Sequence, residues 1–211
     1  MGTNAGQMEH ALHAQADLIV VQEASQFYRA FSTDERREQM LLKTTRFVSL
    51  FCAALALGLT LTHGLEIPGK QQLGGAEWLV VQQTFYGGFA IVGGVAQIVG
   101  LISTGVLLFL LRRRQTAFVL TLVATLCFVG MLALFAFGNN PLNQQIATWT
   151  PQSLPANWHE IRDAWDRFHA ASSAFATLAF TALLIALLRE TPSSRGTSEA
   201  SPEREKEKLA R

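Results

Sequence analysis

Four long apolar stretches, almost free of charge, constrain this 211-residue chain more than any other feature. A helix that crosses a bilayer needs about 20 predominantly apolar residues. The first stretch covers residues 47–65, with Arg46 before it and Glu66 and Pro68 after it. Proline lacks the N–H that a continuing helix donates, so Pro68 marks an expected stop. The second lies between Gln83 and Arg112 and predicts a helix over 84–111, with an earlier start near Glu77 and Trp78 left open. The third covers 116–138, and the fourth holds residues 170–188 in the membrane. Each run is continuous rather than alternating with period two, which selects helices over barrel strands. In hydrocarbon, a helix also satisfies its own backbone polar groups. One such run fits a buried helix of a soluble protein. Four in a chain this short predict an all-α integral membrane four-helix bundle, residues 43–190.

Charge gives the bundle an expected direction. Only 16% of residues are charged, against about 25% in soluble domains. Arg36, Arg37, Lys43 and Arg46 precede the first segment, Arg112, Arg113 and Arg114 separate the second from the third, and Arg189 and Arg195 follow the fourth. The opposite side carries Lys70, Arg162 and Arg167, the last two diluted by Asp163 and Asp166. Cytoplasmic loops are enriched in Lys and Arg, so the topology is expected to be up-down-up-down with both termini cytoplasmic. The loops at 66–77 and 139–157 then face outside. A net charge of +1 gives no reason to expect a nucleic-acid partner.

The flanking regions differ in composition. Residues 1–42 form a polar extension with short apolar stretches, expected to make one or two surface helices. Its first apolar patch, Leu18-Ile19-Val20-Val21, is shorter than the roughly 7–15 residues of a secretory h-region, so no cleavage is expected. Residues 191–211 are rich in Ser, Glu, Lys, Pro and Arg and are expected to be disordered. Cys52 and Cys127 each sit in an apolar run and read as small buried hydrophobes. Without a C-x-x-C pair, neither thiol–disulfide exchange nor a zinc knuckle is expected. Ala54 and Gly58, Ala90 and Gly94, and Ala96 and Gly100 are spaced four apart, the pattern that lets membrane helices approach closely. The Gly87-Gly88 and Gly93-Gly94 pairs do not match a phosphate-binding glycine motif.

The polar residues that composition does not explain gather at one level. His63 and Glu66 are three apart on one helical face, and Tyr86 begins the second segment. Asn139, Asn140 and Asn143 surround Pro141 after the third. Asn157 and Glu160 have capping-box spacing and predict a helix over 158–189. At 1.5 Å per residue that helix is roughly 48 Å long, more than the hydrocarbon core needs. Its first turns therefore stand outside, carrying Trp158, Arg162, Trp165 and His169 as one stripe. Two readings stay open. These residues anchor the protein at the headgroups, or they line a ligand or catalytic pocket between helix ends. Neither H-x-x-x-H nor E-x-x-H occurs on a single helix, so no metal site is expected, although His63 and His169 together leave a haem or metal centre as a weaker alternative.

The strings bearing these residues resemble a known family. His63-Gly64-Leu65-Glu66-Ile67-Pro68-Gly69-Lys70 is similar to an H-x-L-E-x-P-x-K element that ends a first helix. Asn140-Pro141-Leu142-Asn143, with Trp149 downstream, resembles an element that follows the third, and Trp158, Arg162, Trp165 and His169 resemble one leading into the fourth. Together they resemble the anthrone oxygenase-like family of small four-helix membrane proteins, over residues 45–190. The resemblance implies a multi-pass protein of the bacterial plasma membrane. It also implies oxygenation of a small aromatic, anthrone-like substrate without a classical cofactor. By position, His63 or His169 is then the candidate base and Arg162 and Asn143 are candidates to stabilise an oxyanion. Glu66, Tyr86, Asn140, Asn143, Trp158 and Trp165 are candidates for substrate binding. The alternative is a non-catalytic membrane protein that binds lipid, a partner helix or a second copy of itself through its Ala/Gly faces.

Overall fold

A computed structural model describes the backbone of residues 3–190 and the side chains of residues 34–190. The expectation of disorder over 191–211 lies outside the described residues. The elements are α1 (Thr3–Lys70), α2 (Gly75–Phe85), α3 (Gly87–Leu111), α4 (Gln115–Leu134), a π-turn (Phe135–Asn139), α5 (Asn140–Ala147) and α6 (Trp158–Glu190). Among the described residues there are helices and no strands. Four helical stretches are long and apolar enough to cross a membrane: Asp34–Lys70, Gly87–Leu111, Gln115–Ala147 and Trp158–Glu190. They form a closed bundle in which α1 packs on α3 and α6, and α4 packs on α3 and α6.

The outer face of the bundle is apolar. Phe47, Phe51, Ile91, Ile102, Phe109, Leu126 and Leu188 are all exposed. A water-soluble monomer rarely displays such contiguous apolar surface. The chain is a multi-pass membrane protein.

The membrane half of the bundle is filled by small and medium side chains. Ala53, Ala56, Ala124, Ala179 and Leu183 pack around Phe128 and Met131. Gly100 on α3 is what admits Phe128, because a Cβ there would collide with its ring. Of the small-residue pairs, Ala96 and Gly100 are therefore buried at a helix contact. Ala54 and Gly58 instead face outward, and Ala90 and Gly94 border a cavity. Ser49 Oγ donates to Ser103 Oγ at 3.0 Å and ties α1 to α3. At the far end, Arg46 and Arg114 both pair with Glu190 and close the bundle.

Several helix ends differ from the sequence expectation. Residues 3–42 are not separate surface helices but the beginning of α1. Pro68 does not stop that helix, which runs on to Lys70. The lost N–H costs one backbone bond, and the extra turn places Lys70 within 3.4 Å of Glu66. The third segment likewise does not end at Gly138. The Asn140 N–H bonds the Phe135 carbonyl across the π-turn, and Pro141 falls in the first turn of α5, where no intrahelical N–H is required. The helical path thus continues to Ala147. Helix α6 begins at Trp158, but the Glu160 N–H bonds the main-chain carbonyl of Asn157 rather than its side chain. The connections at 66–77 and 139–157 are more than loops. With α2 they hold Trp78, Leu79, Ile146 and Trp149, which pack with Trp165 as an apolar cap on that end of the bundle.

Candidate functional site

Beneath the cap lies a cavity of about 570 Å³. Helix α1 supplies Thr60 and His63, α2 supplies Gln82 and Gln83, and α3 supplies Phe89, Gly94 and Gln97. Phe135 and Asn143 come from the third spanning segment, and Trp165 and His169 from α6. Exposed lining residues occur on both sides of the α3–α4 seam: Ala90 and Ile98 on one, Phe135 and Ala136 on the other. Ile98 sits near the middle of α3, so the opening there is lateral and at membrane depth.

His63 is the centre of the polar wall and is 5% exposed. Its ring lies 4.3 Å from that of His169, 4.7 Å from Tyr86 and 5.0 Å from Trp165. The Trp165 and His169 rings, four residues apart on α6, are 3.9 Å apart. Behind His63, one carboxylate oxygen serves as a hub. Glu66 Oε2 accepts a 2.7 Å hydrogen bond from the Tyr86 hydroxyl and lies 3.7 Å from His63 Nδ1 and 3.4 Å from Lys70 Nζ. Burial, then the bond to Glu66, pushes the Tyr86 phenol above its ordinary value, so it stays a neutral donor. Lys70 Nζ is buried 3.9 Å from Asp166 and sits over the faces of Trp165 and Tyr86, at 4.5 Å and 4.9 Å. Among the described residues, none hydrogen-bonds Nδ1 of either histidine.

The π-turn and α5 grip the other side of Trp165. Trp165 Nε1 donates to Asn143 Oδ1 at 2.8 Å, and Asn139 Nδ2 donates to the Trp165 carbonyl at 3.2 Å. That bond fixes the orientation of the Asn143 amide in the cavity wall. Gln83 is already engaged, donating to the carbonyls of Ile146 and Trp149 at 3.0 Å and 3.1 Å. Pi-turns inside helices are frequent at functional sites.

The expected site residues divide into two groups. His63, Tyr86, Asn143, Trp165 and His169 line the cavity, and Glu66 stands directly behind it. Arg162, Asn140 and Trp158 do not line it. The Arg162 guanidinium bonds Asp163 at 3.0 Å and stacks on Trp158, 5.1 Å from its centroid. Trp158 itself packs on Trp78 in the cap. The stripe on α6 is real, but helical twist sends its first half to the cap and its second half to the cavity. Sequence reasoning missed Lys70 as a buried neighbour of the site, and also Gln82 and Gln97. A polar amide in the charge-free run of α3 was the available signal for Gln97.

Among the described residues, no three of His, Cys, Asp and Glu gather as a set that could hold a metal ion. The family model described as anthrone oxygenase matches residues 81–182. That segment carries the cavity walls of α2 to α6, including Asn143, Trp165 and His169. Over those residues the chain is similar to the anthrone oxygenase family. The matched segment starts after His63, so the α1 wall of the site is an addition that the fold makes to it. No curated protein and no solved structure gives a match to the chain. The geometry above is therefore the basis for reading the chemistry of the site.

Proposed function

We propose that the cavity is the active site of a cofactor-independent oxygenase that converts a small aromatic, anthrone-like substrate to the quinone. The observation that carries this reading is the His63–His169 pair, with ring centres 4.3 Å apart, in the wall of an aromatic-lined cavity open at membrane depth. His63 takes one proton from the ring CH₂ of the substrate. Glu66, 3.7 Å behind Nδ1, compensates the charge of the imidazolium that forms. The electron-rich anthrolate passes one electron to O₂ and the two radicals combine as a peroxide at that carbon. Loss of the second hydrogen as a proton breaks the O–O bond and leaves a carbonyl and hydroxide. The hydrogen of that hydroxide is the first proton, returned by the imidazolium to the peroxide before the O–O bond breaks; hydroxide takes the second proton to make water, and the base ends neutral. One oxygen atom thus enters the product and one leaves as water. Asn143 Nδ2, set by the bond from Trp165, donates to the substrate oxyanion.

Membranes containing the protein should consume oxygen with anthrone faster than protein-free membranes, and His63→Ala and His169→Ala should abolish the difference. Equal uptake in wild type and both variants ends the proposal. The same reading places the protein in a bacterial plasma membrane with both termini cytoplasmic, supported by the Lys and Arg distribution. A second reading, association with a partner helix or a second copy, is favoured by Ala54 and Gly58, which face outward with no atom within 4 Å of a Cβ built at Gly58.

A further inference from the structure

The walls of the cavity restrict its ligand more tightly than its size does. Among the described residues, none that lines it is Asp, Glu, Lys or Arg. Glu66 and Lys70 stand behind the wall, paired with each other. A ligand carboxylate or ammonium would enter at membrane depth a wall that carries no fixed countercharge, which disfavours the charged form. The polar groups that do face the cavity are neutral amides, imidazoles and hydroxyls.

These polar groups form two poles. One is the cluster of His63, His169, Tyr86 and Asn143 under the cap, with Gln82, whose Oε1 is buried without a partner among the described residues, at the same end. The other is Gln97, eleven residues beyond Tyr86 along α3, hence roughly 16 Å deeper at 1.5 Å per residue. Gln97 lies in the middle of a candidate span, is half-buried, and has no hydrogen bond to any described residue. An amide at that depth is costly to leave unpaired, and polar residues inside membranes are usually functional. Between the poles the wall is largely apolar, with Phe89, Gly93 and Gly94 on α3 and Leu132 and Phe135 on α4 and the π-turn, and the Thr60 hydroxyl there is already donated to the Ala56 carbonyl at 2.8 Å. Gly94 leaves open space where a side chain would stand.

We infer that Gln97 is a specificity residue that hydrogen-bonds a hydroxyl or carbonyl of an uncharged, elongated ligand at the end remote from the histidine pair. This rests on the cavity being the ligand site, as proposed above, but not on the reaction. A hydroxyl near Gln97 gains the amide as partner; a ligand lacking it leaves the amide unpaired. A ring carboxylate is rejected whatever the other substituents.

Binding can be read without turnover, from quenching of the tryptophan fluorescence by anthraquinones added to the full-length protein in nanodiscs. The probes are 9,10-anthraquinone, a dihydroxyanthraquinone and anthraquinone-2-carboxylate. Wild type should bind the dihydroxy compound at least tenfold more tightly than the unsubstituted one, and the carboxylate at least tenfold more weakly than either. Gln97→Met keeps the length of the side chain without its amide, and Gln97→Leu is a second apolar replacement. Either should bring the dihydroxy and unsubstituted affinities together and leave rejection of the carboxylate intact. A hydroxyl preference unchanged in both variants, or tight carboxylate binding, overturns the inference while leaving the proposed reaction standing. Binding with this selectivity but no oxygen uptake upholds the inference and removes the reaction. Failure of all three probes to bind overturns both.

Discussion

Asn143→Ala tests how the site is held together. The Trp165 indole is 2% exposed, and its N–H reaches Asn143 Oδ1 at 2.8 Å. Truncating Asn143 leaves a buried donor without its acceptor, which costs about 1–3 kcal/mol. For a chain of this size each kcal/mol lowers Tm by about 2–4 °C. The apparent Tm of detergent-purified protein, followed by near-ultraviolet circular dichroism, should therefore fall by roughly 2–12 °C. Lost packing around Asn143 would also lower it, so the decisive measurement is a double-mutant cycle with Trp165→Phe. Phenylalanine has no N–H to leave unpaired. In that background Asn143→Ala should cost much less than in wild type, with a coupling of about 1–3 kcal/mol. If Asn143→Ala shifts Tm equally in both backgrounds, the bond contributes nothing specific and the orientation assigned to Asn143 is wrong. The activity readout is separate. Asn143→Ala should lower oxygen uptake by roughly 10²–10³-fold if Nδ2 meets the oxyanion.

The remaining predictions concern packing, cavity and topology. Gly100→Ala should cost about 1–3 kcal/mol by overpacking against the buried Phe128 ring, whereas Gly94→Ala should leave the thermal midpoint unchanged because no atom lies within 4 Å of its Cβ position. Gly94→Leu should fill the cavity and suppress both probe binding and oxygen uptake at nearly wild-type stability; a large drop in Tm would mean that Gly94 is a helix contact instead. Single cysteines at Gln72 and Arg113, both exposed, should report the topology. Applied to intact cells, a membrane-impermeant maleimide should label the first and reach the second only after permeabilisation, and the reverse pattern would invert the bundle.

The sequence by itself determined that the chain crosses a membrane, how many times, and as helices. Those properties follow from the length and continuity of apolar runs, which bilayer thickness and backbone hydrogen bonding read directly. It also pointed to the level at which His63, Glu66, Tyr86, Asn143, Trp165 and His169 would sit, because charges and amides within apolar runs are conspicuous. Tertiary structure alone decided which of these meet. Helical periodicity placed Trp158, Arg162, Trp165 and His169 on one stripe, but not which neighbour each part of the stripe would face. The cap of α2 and α5 takes Trp158 and leaves Arg162 paired with Asp163, while Trp165 and His169 turn into the cavity. Proline was misleading for a local reason. Pro68 was expected to stop α1, but its missing N–H removes a single backbone bond one turn from the helix end, and the helix runs on to Lys70. Gln97 shows the same division: an amide in an apolar run is visible in the sequence, but that it borders the same cavity as the histidine pair depends on how α3 packs against α1 and α4.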